Sequence, residues 1–257
     1  MSSKSPPDAS DMPPARGAFP PTQWSMILDA GEGSESVARA ALEAMCRQYW
    51  YPLYSFVRGQ GRTHHEAEDC TQEFLARLLA SDGVARARPE RGRFRSFLLM
   101  SLRNCMANEW QRGQAAKRGA GQSPLSLDFE AAGERFAHEA VDPGLSPEKA
   151  FDHNYAAEMI GRAIDALRAD YEATDRDKLF AALRPHMWGN ASPGSFALQA
   201  EGLGMKTHAF TVALQRLRRR LGERLRAEVR RTVASEAEVD AELRYMMDAM
   251  GDPPPAR

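Results

Sequence analysis

Residues 195–231 read SFALQAEGLGMKTHAFTVALQRLRRRLGERLRAEVRR. The apolar positions recur at intervals of three and four, which places them on one face of a helix. Gly204 separates a short helical segment from a long one, and Thr207 is the predicted N-cap of the long segment. A short helix, a glycine-containing turn and a long basic helix are typical of a helix-turn-helix. The predicted buried face of the long helix consists of Phe210, Leu214, Leu217, Leu221 and Leu225.

Helical periodicity dominates the rest of the chain as well, and no segment shows a convincing strand alternation. One helix is predicted from about Ser36, interrupted and kinked or reset at Pro52. A second begins at Thr63, whose spacing to Glu66 is that of a capping box. A third is predicted from Phe94 to about residue 112. These elements form one compact helical domain.

Glycine, proline and acidic residues interrupt the pattern after residue 113, and helical patterning returns near Ser146–Pro147, a cap and first-turn pair. The sequence therefore predicts an all-α fold of two small helical domains joined by an acidic flexible linker. The final segment has apolar residues at helical spacing and is predicted to dock on the second domain or to regulate it. The predicted divisions are a disordered arm (1–18), an N-terminal bundle (19–113), a linker (114–147), a helix-turn-helix domain (148–233) and an acidic tail (234–257).

The charged residues are sorted along the chain, although the formal net charge is only −1. Residues 86–118 contain nine Lys/Arg and two Asp/Glu, and residues 206–231 repeat that ratio of nine to two. Between them, residues 126–152 contain seven acidic and two basic residues. Two cationic surfaces predict contact with a polyanion at two places along it. Solvated, arginine-rich helix faces are the alternative.

Composition excludes several classes of protein. The apolar content of 43% and charged content of 27% are ordinary for a globular domain. No apolar run approaches the roughly 20 residues that span a bilayer, and the first residues lack the apolar core of a signal peptide. Cys46, Cys70 and Cys105 are odd in number and lie in helical patterns, which predicts buried thiols in a reducing cytoplasm. No CxxC pair is present to form a cysteine-based zinc site.

Three ordered stretches resemble one family. HEAEDCTQEF at 65–74 is similar to an acidic helix that docks on a polymerase. RFRSFL at 93–98, continuing to LRN at 102–104, is similar to a promoter-opening helix. LGM at 203–205 with LRRRL at 217–221 is similar to a promoter-reading helix-turn-helix. In this order they resemble the bacterial RNA polymerase sigma factors, specifically the extracytoplasmic-function group.

The resemblance implies three sets of contact residues. Core polymerase would be bound by Glu66, Asp69, Gln72 and Glu73. The minus-ten promoter element would be bound by Arg91, Arg93, Phe94, Arg95, Arg103, Asn104, Trp110 and Arg112. The minus-thirty-five element would be bound by Lys206, Thr207, His208, Thr211, Gln215, Arg216, Arg218, Arg219 and Arg220. Phe97, beside Leu98, is instead predicted to lie in the core.

The resemblance also implies a function without chemistry of its own. Such a protein is not an enzyme and needs no cofactor or metal, because the polymerase supplies the catalytic magnesium. It directs promoter recognition, DNA melting and transcription initiation in the cytoplasm. Its implied partners are core RNA polymerase, promoter DNA and an anti-sigma factor or other regulator, with no membrane.

Two alternatives differ from this interpretation. A stand-alone helix-turn-helix regulator would bind duplex DNA without polymerase and would leave the acidic helix unused. A metal enzyme would use His64, His65, Asp69 and Cys70, but no second ligand cluster with metal-site spacing accompanies them. The acidic linker likewise has two interpretations, a nucleic-acid mimic near the polymerase cleft or, as we favour, a solvated tether.

Overall fold

The computed structural model describes residues 35–79, 93–112, 127–138, 146–189, 193–233 and 235–251. All regular secondary structure within these ranges is helical, which confirms the all-α prediction. The predicted arm at 1–18, the tail beyond residue 251 and most of the basic segment 86–93 lie outside them. No helix in the described ranges is long and apolar enough to span a membrane.

The helices begin and end close to the predicted positions. The third begins at Phe94 and ends at Arg112, as the sequence predicts. In chain order they are α1 (Glu35–Gly59), α2 (His64–Leu79), α3 (Phe94–Arg112), α4 (Phe129–His138), α5 (Pro147–Glu172), α6 (Asp177–Leu183), α7 (Pro193–Gly202), α8 (Thr207–Arg230) and α9 (Val239–Met250). Short 3-10 turns occupy Arg184–His186 and Glu236–Glu238.

Local capping predictions have mixed outcomes. Thr63 and Glu66 form the predicted capping box before α2, with the Glu66 amide 3.3 Å from Thr63 Oγ1 and the Thr63 amide 2.9 Å from Glu66 Oε2. Ser146 caps α5, with Pro147 in the first turn, also as predicted. The prediction that Thr207 caps α8 is wrong. Lys206 is the extended N-cap residue, and Thr207 is already helical.

Helix α1 continues through Pro52 rather than being reset there. Proline has no amide hydrogen, so the carbonyl of Gln48, one turn earlier, loses its normal helical donor. The Arg162 guanidinium of α5 donates to that carbonyl over 3.2 Å. A donor from another helix therefore satisfies the carbonyl that Pro52 leaves free.

The described residues bury two hydrophobic clusters, and two long helices contribute to both. Helix α5 places Phe151 in the first cluster with α1, α2 and α3, and Leu167 in the second with α6 and α7. Helix α8 places Leu217 in the second cluster and Val229 in the first. These two helices therefore run from one cluster into the other. The division into two domains stays a prediction.

Part of the predicted linker is a docked helix. Phe129 of α4 is buried, and its ring lies 4.9 Å from that of Trp50 on α1. The Arg135 guanidinium stacks 3.7 Å above the Tyr51 ring, and the same side chain pairs with Glu158 of α5. Sequence reasoning missed this helix because its acids and glycine suggested a solvated segment. Residues 127–138 are therefore an ordered helical segment, which corrects the flexible-linker expectation there.

Candidate polymerase and nucleic-acid interfaces

Helix α2 presents the predicted acidic face to solvent. Its opposite side is buried through Cys70, Phe74 and Leu75, which pack into the first cluster. This packing fixes the rotation of the helix. The four predicted core-binding residues lie on the outer side, where Glu66, Asp69 and Glu73 are exposed and Gln72 is partly buried.

The four polar side chains differ in what else they contact. Glu66 accepts bonds from Thr63, and these bonds lower the pKa of its carboxyl group. Glu73 accepts a hydrogen bond from Arg77, and Gln72 donates to Glu68 over 3.1 Å. Asp69 has no hydrogen bond or ion pair within the described part of the chain. Its carboxylate is therefore the most available of the set for a basic partner.

The start of α3 brings two predicted minus-ten residues against the C-terminal helix. Arg95 Nε donates to Glu242 Oε1 over 2.8 Å. Arg93 Nε lies 3.0 Å from Glu242 Oε2, at ion-pair distance but without the alignment of a hydrogen bond. Glu242, on α9, has a side chain only 1% exposed. One buried carboxylate thus lies between both arginines.

A second acid and an aromatic ring complete this cluster. The Tyr245 ring lies 3.6 Å from the Arg95 guanidinium carbon, and its hydroxyl donates to Asp152 of α5. Asp152 also lies 3.4 Å from Arg95 Nη1. Burial opposes the charge on Arg95, but Glu242, Tyr245 and Asp152 together outweigh it, so the pKa of Arg95 is raised above its ordinary value. We call Arg93, Arg95, Asp152, Glu242 and Tyr245 the arginine clamp.

The other minus-ten candidates have different environments. Phe94 is fully buried, with its ring 5.3 Å from that of Tyr49, so it is unavailable to a base in this conformation. Phe97 is also buried, in agreement with the prediction that it lies in the core. Arg103 pairs with Glu148, while Asn104 is exposed. Arg91 and the side chains of Trp110 and Arg112 lie outside what the structure describes.

The long helix α8 exposes its predicted reading face at its N-terminal end. Its buried stripe is the predicted one, and it packs against α5 and α7. Thr211 is partly buried and donates to the Thr207 carbonyl over 3.1 Å. The exposed members of the predicted set are Lys206, Thr207, His208, Gln215, Arg216 and Arg219.

Further along α8, arginines hold the fold together. Arg218 donates to the backbone carbonyls of His186 and Gly189, at 2.9 and 2.7 Å. Arg220 and Arg224 both donate to Asp170 of α5, at 2.9 and 2.7 Å. The arginine run at 218–220 is therefore divided, since Arg219 points to solvent and its neighbours bind other elements.

One possible metal-ligand group occurs among the described residues, and it differs from the set considered above. His64, His65 and Glu68 have ligand atoms within 4.8 Å of one another, whereas Cys70 is buried. However, His64 Nδ1 already shares a 2.7 Å hydrogen bond with the Tyr54 hydroxyl. The group also lies at a helix N-terminus, whose dipole disfavours a cation. We therefore assign it no metal function.

The residues that sequence reasoning missed are Glu242, Tyr245 and Asp152. The helical spacing of the tail predicted α9, and its acidic character was apparent. No local pattern shows which arginines these acids would meet, because Arg95 and Glu242 are 147 positions apart.

One part of the chain matches a known family. Residues 45–116 match the family Sigma-70 region 2, a span that includes α2 and α3 but not the helix-turn-helix. Searches of curated proteins and of solved structures found no match to this chain. A sigma-70 region 2 implies interaction with core RNA polymerase and promoter DNA. The match covers less than half of the chain. It supports the interpretation that the chain is an RNA polymerase sigma factor of the sigma-70 family.

Proposed function

We propose that this chain is a sigma factor of the extracytoplasmic-function group, which binds core RNA polymerase and directs promoter recognition, DNA melting and transcription initiation. The observation that carries the proposal is the region 2 match at residues 45–116, which includes the exposed acidic face of α2. That face offers carboxylates one helical turn apart, which can pair with a basic helical partner and set its register.

In this proposal the two basic regions act at two promoter elements. The start of α8 enters the major groove of the minus-thirty-five element, where Gln215 and Arg216 are exposed to contact base edges or phosphates. The region around α3 binds the minus-ten element. Two modest contacts on one DNA molecule become a tight one because the second forms at high effective concentration.

Strand opening requires groups that hold an unstacked base. Stacking on an aromatic ring contributes about 1–3 kcal/mol per base. Phe94 and Phe97 are buried, so within α3 the proposal assigns this role to Trp110. Asn104, which is exposed, supplies donor and acceptor groups for a base edge. The energy of melting is offset by these contacts with one captured strand.

The test is co-purification with bacterial core RNA polymerase, comparing wild type with Asp69→Arg. Asp69 has no hydrogen bond or ion pair in the described ranges, so its reversal changes the face without breaking an internal contact. Glu172→Arg is the matched control, since Glu172 is exposed at the end of α5, far along the chain from region 2. Wild type and control should bind polymerase, and Asp69→Arg should not.

Two other outcomes would contradict parts of this proposal, and the first would favour the stand-alone regulator. If wild type fails to bind core polymerase yet shifts duplex DNA unaided, the sigma-factor proposal is wrong. If wild type and Asp69→Arg bind polymerase equally, the proposed docking face on α2 is wrong, although polymerase binding itself stands.

A further inference from the structure

The arginine clamp combines two chemistries that a nucleic-acid strand also presents. A carboxylate and a phosphate are both bound by arginine through charge-assisted hydrogen bonds. An arginine guanidinium also provides a flat face on which a base stacks. In the clamp, Glu242 supplies the anion to Arg93 and Arg95, and the Tyr245 ring covers the Arg95 guanidinium at 3.6 Å.

We propose that α9 is an internal mimic of single-stranded DNA, which occupies Arg93 and Arg95 and must leave before a promoter strand can bind them. Glu242 takes the position of a phosphate, and Tyr245 takes that of a base. This inference rests on the proposed function, because it assumes that these arginines contact DNA.

The burial of Glu242 supports a specific role for its charge. It shares one face of α9 with Val239 and Met246, which are buried in the first cluster. A carboxylate on an otherwise apolar face is costly to bury, and an apolar residue would often stabilise such a site equally well. An apolar residue at position 242 would supply the burial. The carboxylate additionally binds the two arginines.

The placement of α9 also blocks access to the start of α3. The Phe94 amide donates over 3.2 Å to the carbonyl of Thr232, in the segment that leads to α9. Only 11% of the Arg95 side chain is exposed while α9 is bound. A strand can therefore reach Arg95 only in the fraction of molecules from which α9 has moved away, and the apparent affinity falls by that fraction.

The experiment measures binding of a fluorescent single-stranded DNA of mixed sequence to the full-length protein. Glu242→Gln removes the competing charge and should raise the affinity at least about fivefold, the low end of coupling between linked sites. The dependence of log affinity on log salt should steepen by about 1.4, because two phosphates at roughly 0.7 each become bound. Replacing Arg93 and Arg95 with alanine in the Glu242→Gln background should abolish the gain.

Asp240→Asn is the matched control. Asp240 lies on the same helix and removing its charge alters net charge equally, but it is 67% exposed and pairs with Arg226, away from the clamp. The affinity of the Asp240→Asn variant for single-stranded DNA should stay close to that of wild type. If both variants gain equally, net charge alone explains the effect and the mimic proposal is wrong.

A structural role alone predicts another result. Glu242→Gln would then lower the melting temperature without any gain in DNA affinity, which overturns the proposal. If that variant does not fold, Tyr245→Ala is measured instead. It removes the stacked ring and the bond to Asp152 from a partly exposed position, and it should also raise the affinity. No gain from a folded Tyr245→Ala variant would equally overturn the proposal.

These outcomes are separable from failure of the proposed function. If core polymerase does not bind wild type but Glu242→Gln still gains affinity through Arg93 and Arg95, the mimic stands in a DNA-binding protein of another kind. If wild type binds polymerase and the clamp variants gain nothing, only the mimic is wrong.

Discussion

The two basic segments, 86–118 and 206–231, have the same charge in the sequence, but the helices that begin within them, α3 and α8, differ in environment near their starts. At the start of α3, Arg93 and Arg95 contact an acid from α9, which lies 147 positions beyond Arg95 in the chain. At the start of α8, Lys206 and Arg216 are exposed and make no ion pair within the described ranges. The local excess of arginine is therefore a poor measure of the positive charge available to a ligand. Availability depends on where the acidic residues lie in three dimensions.

Among the changes that test this comparison, reversing the charge of Glu242, at the centre of the arginine clamp, should have the largest effect. Glu242→Arg would place a third guanidinium beside Arg93 and Arg95, with no acid between them. Breaking a buried ion pair in this way typically costs about 3–5 kcal/mol. We expect a loss of that order in the free energy of unfolding, measured by urea titration.

Asp240→Arg provides the comparison, because Asp240 is on the same helix but at the surface. Exposed ion pairs contribute roughly 0–1 kcal/mol, so this variant should lose little stability. If the two variants lost equal stability, the effect would come from a charge change anywhere on α9. The conclusion that the buried position of Glu242 makes its ion pairs important would then be wrong.

A smaller effect should separate the free and engaged arginines of α8. Arg216→Ala removes a free cation from the predicted reading face and should reduce the salt dependence of duplex DNA binding by about 0.9, the slope of one phosphate contact. Arg224→Ala removes an arginine that is bound to Asp170. It should change the slope little, as measured by fluorescence anisotropy between low and moderate salt.

If Arg224→Ala reduced the slope as much as Arg216→Ala, the pairing with Asp170 would not withhold charge from DNA. The comparison between engaged and free arginines would then fail for α8, although it could still hold for the buried clamp.

The features that the sequence predicted well are local ones. The spacing of Thr63 and Glu66 determines a capping box without help from the rest of the chain, and Ser146 with Pro147 does the same for α5. The Thr207 cap failed for a local reason too, since Lys206 takes the extended conformation and no side chain caps the helix. Helix periodicity also placed the acidic face of α2 correctly.

The features that it missed depend on contacts between distant segments. Helix α4 is positioned when Phe129 packs on Trp50, which outweighs the linker-like composition around it. The role of Arg95 depends on Glu242, and the carbonyl freed by Pro52 depends on Arg162. Such pairs have no periodic signal along the chain. For the same reason, residues predicted by resemblance alone could be assigned to a helix face but not shown to be free.

The smallest predicted effect concerns the acidic face of α2, where Glu66 is engaged and Asp69 is free. Glu66→Gln retains an oxygen for the capping box but removes the charge. The bonds from Thr63 lower the pKa of Glu66 in the folded protein, so its charge stabilises the fold above the ordinary carboxyl pKa. That contribution is lost as the pH falls through the lowered folded pKa.

The melting temperature of wild type should therefore slightly exceed that of Glu66→Gln at neutral pH, and the two should converge in acid. Asp69→Asn, which breaks no described contact, should show no such convergence, and a difference for Glu66→Gln that persisted in acid would point to altered capping geometry rather than charge.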